Sequence, residues 1–173
     1  MAEGLHKGKK SVNVFLLIGS NLGDTLDNIK KASASIQAEV GEIIDFSSLY
    51  QTEPWEMETE NWFLNQVIRI ETPLPAIEVL SKTKLIEKRM GRKLYAEPGY
   101  HSRIIDIDIL YYGAHILESD ELCIPHPRMT QRRFTMAPLV ELDPLGIHPM
   151  CKKTNSEILN AITDKTQVQI LRA

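Results

Sequence analysis

Cysteine is nearly absent from this chain: its 173 residues include two, Cys123 and Cys151. Neither has a metal-type spacing and one pair makes no disulfide framework, which points to a reducing compartment. No stretch approaches the roughly 20 apolar residues that span a bilayer. His6, Lys7, Lys9 and Lys10 ahead of the apolar run 12–18 imitate a secretory signal. That run is short, broken by Asn13 and lacks an A-x-A-like cleavage site. The expectation is a disordered basic tail over 1–11, then a first strand, in a cytoplasmic protein. Strong charge is missing too. A net charge of −3 gives no electrostatic case for nucleic acid or anionic membranes. There is neither a G-x-S-x-G elbow nor a G-x-x-x-x-G-K-[ST] loop, so those serine hydrolase and P-loop kinase chemistries are excluded.

What is present suits one globular domain over 12–173, with 43% hydrophobic and 25% charged residues. Residues 12–18 form a continuous apolar run typical of a buried strand, ending in the turn-rich Gly19-Ser20-Asn21-Leu22-Gly23-Asp24. Leu22, Leu26, Ile29, Ser33, Ile36 and Val40 recur at helical spacing, with Asp24 as N-cap and Gly41 as stop. Strands are predicted over 43–52 and 62–71, separated by the acidic loop 53–61. Pro75 is expected as the first residue of a second helix with the stripe Ala76, Val79, Leu80, Thr83, Ile86 and Met90, stopped by Gly91. A strand over 104–112 completes β-α-β-β-α-β. That order predicts an α+β, ferredoxin-like fold: an antiparallel sheet with both helices on one face. Pro125, Pro127, Pro138, Pro144 and Pro149 argue against long regular elements in the tail, which is left a short helix over 156–162 and a last strand over 167–171.

The most informative stretch is Ile104-Ile105-Asp106-Ile107-Asp108-Ile109-Leu110. Side chains at i and i+2 of a strand leave the same face, so Asp106 and Asp108 stand roughly 7 Å apart at Cα. Such alternation also occurs on the wet face of a half-exposed strand, but Ile104 and Leu110 share the Asp face and are apolar. Two like charges among apolar residues need something positive between them, and a divalent cation or Arg103 would serve.

A basic set could meet the pair: Arg92, Arg103, Arg132 and Arg133, with His126 held between Pro125 and Pro127. Guanidinium forks suit phosphate oxygens, and carboxylates with Mg²⁺ and arginines are the equipment of phosphoryl-type transfer. Aromatics are only 6% of the chain, yet Trp55, Trp62, Phe63, Tyr100 and Phe134 fall in or beside predicted loops. They either cover the core or stack on a flat heteroaromatic ligand, with Thr52 and Asn65 as polar readers of its edge.

In order and spacing these pieces resemble the 6-hydroxymethyl-7,8-dihydropterin pyrophosphokinase family. The resemblance runs through the Gly19–Asp24 loop motif, Ser47-Ser48-Leu49-Tyr50-Gln51-Thr52-Glu53-Pro54, Phe63-Leu64-Asn65 and Gly91-Arg92. It continues through the Arg103–Leu110 stretch, Ile124-Pro125-His126-Pro127-Arg128-Met129, Arg132-Arg133-Phe134 and Ala137-Pro138-Leu139. It implies transfer of the terminal diphosphate of ATP to a pterin hydroxymethyl group, releasing AMP, in folate biosynthesis. It implies two Mg²⁺ ions on Asp106 and Asp108. Arg92, Arg103, His126 and Arg132 would contact phosphates, with Lys84 and Tyr100 also on the ATP side. Thr52, Pro54, Trp55, Phe63, Asn65 and Phe134 would hold the pterin. A monomer is expected, with ATP and the pterin as its partners. The chain departs from the family at His101-Ser102, where a Gly-Pro type pair is usual, at Tyr100 in place of a Trp, and at Glu53 in place of a Pro. Two other readings compete: a two-metal nucleotidyltransferase-like enzyme and a non-catalytic ferredoxin-like ligand-binding module. The first keeps its Gly-Ser close to its D-x-D, whereas Gly19 and Asp106 here are 87 positions apart.

Overall fold

The first apolar run becomes the central strand β1 (Val12–Ser20), from its third residue onward entirely buried. This computed structural model describes residues 10–56, 59–92 and 101–172, so the expected basic tail lies mostly outside the described residues. Helix α1 (Thr25–Glu39) follows, with the Asp24 carboxylate accepting the Asp27 N–H, as the capping pattern requires. Strands β2 (Glu42–Phe46), β3 (Tyr50–Thr52) and β4 (Phe63–Thr72) lead to α2 (Ala76–Arg89) and β5 (Asp106–Tyr112). The sheet order is β5-β1-β4-β3, with β2 also on β4, and every pairing is antiparallel. This is the expected α+β, ferredoxin-like order. Strand β8 (Val168–Ile170) adds to β3 at the far edge.

Four details differ from the sequence-based expectation. The strand predicted over 43–52 is two strands. Ser47 breaks it by donating its N–H to Val67 O while its hydroxyl accepts the Val67 N–H. The register slips there, since Phe46 faces Ile68 but Tyr50 faces Asn65, and a one-residue slip decides which face a side chain occupies. Pro75 is the N-cap of α2, not its first residue. The strand predicted from Ile104 begins at Asp106, because Asn21 and Ser20 take over the pairing of Arg103 and Ile104.

The largest difference is on the second face of the sheet. Its first face is covered by α1 and α2, which bury Ile29, Ile36, Val79 and Ile86 against Leu16, Ile18, Ile68 and Ile107. The other face is covered as well, by α3 (Arg133–Leu142) and α4 (Asn155–Ala161). There Met136, Leu139 and Ile158 pack on Phe15, Leu17, Val67 and Leu110. The prolines of the tail do not prevent α3, although Pro138 lies inside it. Proline removes one backbone bond from a helix, and this one is itself buried among the packing residues of α3. A short hairpin, β6 (Leu117–Glu118) and β7 (Cys123–Ile124), sits beside β5.

Candidate active site

Antiparallel pairing brings the last residues of β1 and β3 to the same end of the sheet as the first residues of β4 and β5. Gly19 faces both Asp106 and Asn65, Leu17 faces Asp108, and Thr52 faces Phe63. The alternation of β5 buries Ile107 and Ile109 against α2 and leaves Asp106 and Asp108 on the α3 side with Leu110, as the sequence pattern anticipated. The solvated-face alternative fails, because the aspartates floor a cavity walled by Thr52, Trp55, Phe63, Asn65, Arg103, Arg132 and Phe134.

Asp106 is held from both sides: Arg92 lies 2.7 Å from one of its oxygens and Arg103 bonds the other. Behind it stands Glu87, 1% exposed, which the sequence reading missed. Its carboxylate pairs with Arg92 and Lys84 and accepts the Ile107 N–H at 2.7 Å. Burial raises the Glu87 carboxyl above its ordinary value, and Asp106 adds to this while Lys84 and Arg92 oppose it. The signal for Glu87 was the helical run Val79, Thr83, Glu87, which puts a carboxylate on the buried face of α2. Burial also opposes the charge of Arg92, but Asp106 and Glu87 outweigh it and keep the guanidinium above its ordinary pKa.

Asp108 is pushed up to about 7, first by burial and then by the Asp106 charge. A carboxylate in that position gains from any cation that arrives. His126 is pushed down to about 4, by burial and by Arg132, and is neutral at pH 7. Its Nδ1 accepts the Arg128 N–H at 3.3 Å, so we assign the ring proton to Nε2, which faces Asp108 at 3.9 Å. Burial likewise lowers Arg132, 6% exposed, whose guanidinium carbon lies 4.7 Å from the Trp55 ring centroid and 5.6 Å from that of Phe134. Trp55 and Phe134 meet edge to face at 6.3 Å. Deep in the same cavity, Asn65 donates its amide to the Thr52 hydroxyl at 2.8 Å, both groups buried.

The remaining expected residues divide. Lys84 does not line the aromatic cavity. It lines a second groove with Leu80, Ile107, Asp108, Ile109, residues 119–123, His126 and Pro127. Asp108 is thus common to both cavities. Pro54 precedes Trp55 but lines neither, and Arg133 is exposed at the start of α3. Tyr100 lies outside the described residues. The unusual Ser102 is engaged: Asn21 donates to its hydroxyl at 3.0 Å and accepts the Arg103 N–H at 2.6 Å.

Comparison with known proteins decides what this geometry belongs to. The sequence profile described as 7,8-dihydro-6-hydroxymethylpterin-pyrophosphokinase (HPPK) matches residues 15–144. The chain belongs to the HPPK family. The 2-amino-4-hydroxy-6-hydroxymethyldihydropteridine pyrophosphokinase of Porphyromonas gingivalis is 39% identical over 144 residues, 82% of this chain and 97% of that one. The enzyme of the same name from Aquifex aeolicus is 39% identical over 83% of this chain and 88% of its own length. Among solved structures, a Plasmodium falciparum HPPK-DHPS chain superimposes with a TM-score of 0.71 over 90% of this chain at 18% identity, a likeness of fold. This chain spans 45% of that longer one. Membership of the HPPK family sets aside the nucleotidyltransferase-like enzyme and the non-catalytic module. Among the described residues no helix is long and apolar enough to cross a membrane.

Proposed function

We propose that this HPPK-family chain transfers the terminal diphosphate of ATP to the hydroxymethyl oxygen of 6-hydroxymethyl-7,8-dihydropterin in the cytoplasm, releasing AMP for folate biosynthesis. The observation that carries this is the meeting of two cavities at Asp108. One has rings for a flat heterocycle and a buried amide–hydroxyl pair for its edge. The other runs past Lys84 and His126, two of the residues expected on the ATP side. The new bond forms between the hydroxymethyl oxygen and the β-phosphorus, and the hydroxyl proton is lost to solvent. The bond that breaks joins that phosphorus to the oxygen retained by AMP.

Asp106 and Asp108 fit Mg²⁺. They are hard oxygen donors, and although Arg92 and Arg103 hold Asp106, its charge still raises Asp108. Among the described residues no cluster of three ligating side chains offers a cage. Mg²⁺ typically binds through one or two carboxylates and completes its shell with substrate phosphates. Bound there, it would neutralise the developing charge on the transferred group. Arg92 and Arg103 sit on Asp106 and can shift onto phosphate oxygens when the cation replaces them. Arg132 is already desolvated, so its charge acts on an anion with little screening. Neutral His126 can donate from Nε2 to a phosphate oxygen without adding charge. The rings of Trp55, Phe63 and Phe134 exclude water, which would otherwise hydrolyse the activated diphosphate.

Two outcomes are expected in solution. With ATP and the hydroxymethyl dihydropterin, chromatography of the products should give AMP and the pterin diphosphate in equal amounts, abolished by a chelator and restored by Mg²⁺. ADP in place of AMP, or nucleotide turnover indifferent to the pterin, overturns the proposal. Gly19→Ala would place a Cβ 2.7 Å from Asn65 Oδ1 and force the amide off Thr52. It should raise the KM for the pterin by about tenfold with the KM for ATP unchanged, measured by initial rates.

A further inference from the structure

Two of the segments that wall the aromatic cavity, 52–55 and 132–134, are far apart in the chain, and one stretch near the C-terminus is bonded to both. Glu53, two positions before Trp55, donates its N–H to Gln167 O at 3.1 Å and accepts the Gln167 N–H on its carboxylate at 2.9 Å. This reciprocal pair extends the β3–β8 ladder, which otherwise ends at Thr52–Val168, to the rim of the cavity that Glu53 itself lines. Across the cavity, α3 begins without a side-chain cap of its own. The Asp164 carboxylate supplies a partner there, accepting the Arg133 N–H at 3.3 Å. Arg133 lies between Arg132 and Phe134, the two side chains that pack on Trp55. Asp164 is in turn held by Thr166, whose N–H and hydroxyl both donate to its other oxygen.

Residues 164–168 therefore bridge the two walls of one slot. On the reading of that slot as the pterin site, we propose that Glu53 and Asp164 are positioning residues for the pterin. Glu53 acts through Trp55, and Asp164 through Phe134. Neither lines the groove past Lys84 and His126, so their effect is confined to one of the two substrates. A flat ligand stacked between rings gains only when the ring separation is right, and free walls would have to be ordered by the ligand at its own expense.

The test uses the full chain carrying Glu53→Ala with Asp164→Ala, beside Glu53→Gln with Asp164→Asn, whose amide oxygens still accept both N–H groups. The alanine pair should raise the KM for the pterin by about tenfold. The KM for ATP should stay within about twofold of the parent, and the amide pair should restore the pterin KM. Amide hydrogen exchange at Arg133 and Gln167 should quicken in the alanine pair alone. Equal rises in both KM values, an unchanged pterin KM, or failure of the amide pair to restore it overturns the positioning role. Absence of turnover in the parent chain overturns the proposed function instead. The clasp is then judged by exchange at Arg133 and Gln167, and unchanged exchange in the alanine pair overturns it.

Discussion

Asp106→Ala is expected to lower kcat by roughly a thousandfold or more while the protein remains folded. Asp106 is the point where Arg92 and Arg103 converge, and it faces Gly19 across the β1–β5 ladder. In the proposed mechanism it holds the cation against the triphosphate, so its loss removes charge neutralisation at the step where phosphorus changes partners. Folding should tolerate the change. Arg92 keeps Glu87 as a partner, and deleting Asp106 removes a charge that raises both Glu87 and Asp108. The side chain is also only partly buried, at 22% exposure. Single-turnover rates at saturating Mg²⁺ and a urea unfolding curve separate the two effects. Activity within tenfold of the parent would remove Asp106 from the metal site, and loss of the cooperative transition would mean that its role is in folding.

The second large effect is expected at Asn65. Asn65→Leu keeps the volume of the side chain but removes a buried donor and acceptor. A site built to hydrogen-bond a ligand's polar edge discriminates strongly when those groups go unpaired. The KM for the pterin should rise by about a hundredfold. Binding of a nonhydrolysable ATP analogue, followed by calorimetry, should not change, because Asn65 lies in the aromatic cavity and not along the Lys84 groove. The location of Asn65 makes the expected selectivity sharp. Its amide is fixed by Thr52 on one side and by the absence of a Cβ at Gly19 on the other. Equal weakening of both ligands would falsify its role as a reader of the pterin edge.

Much of the site was legible because it rests on short-range rules. Period-two alternation put Asp106 and Asp108 on one face and Ile107 and Ile109 on the other, and β5 follows that pattern. Helical spacing with Asp24 ahead and Gly41 behind delimited α1 to within a few residues. Glu87 was also readable, since it falls on the same stripe as Val79 and Thr83, but a lone Glu in a helix is ordinarily solvated. Its burial follows only from its facing Ile107, twenty positions away, together with Arg92. The break at Ser47 escaped because both of its bonds go to Val67, a partner no local pattern names. Helix α3 escaped for a related reason. Pro138 argues against a helix locally, and the apolar contacts that outweigh it are made with β1 and β4.

The chain's own order of residues determined the ferredoxin-like succession of strands and helices, the pairing of the two aspartates on one face, and the set of arginines, His126 and rings available to serve them. Local propensity, period and cap chemistry carry those features, and they act within a few residues. The tertiary structure alone decided that both faces of the sheet are covered and that Lys84 and Asn65 belong to different cavities joined at Asp108. It also decided that residues 164–168 reach both walls of one cavity. These depend on which ends of antiparallel strands meet and which buried charges find partners. Such contacts between distant positions repay the entropy of ordering the chain only after the whole sheet has formed.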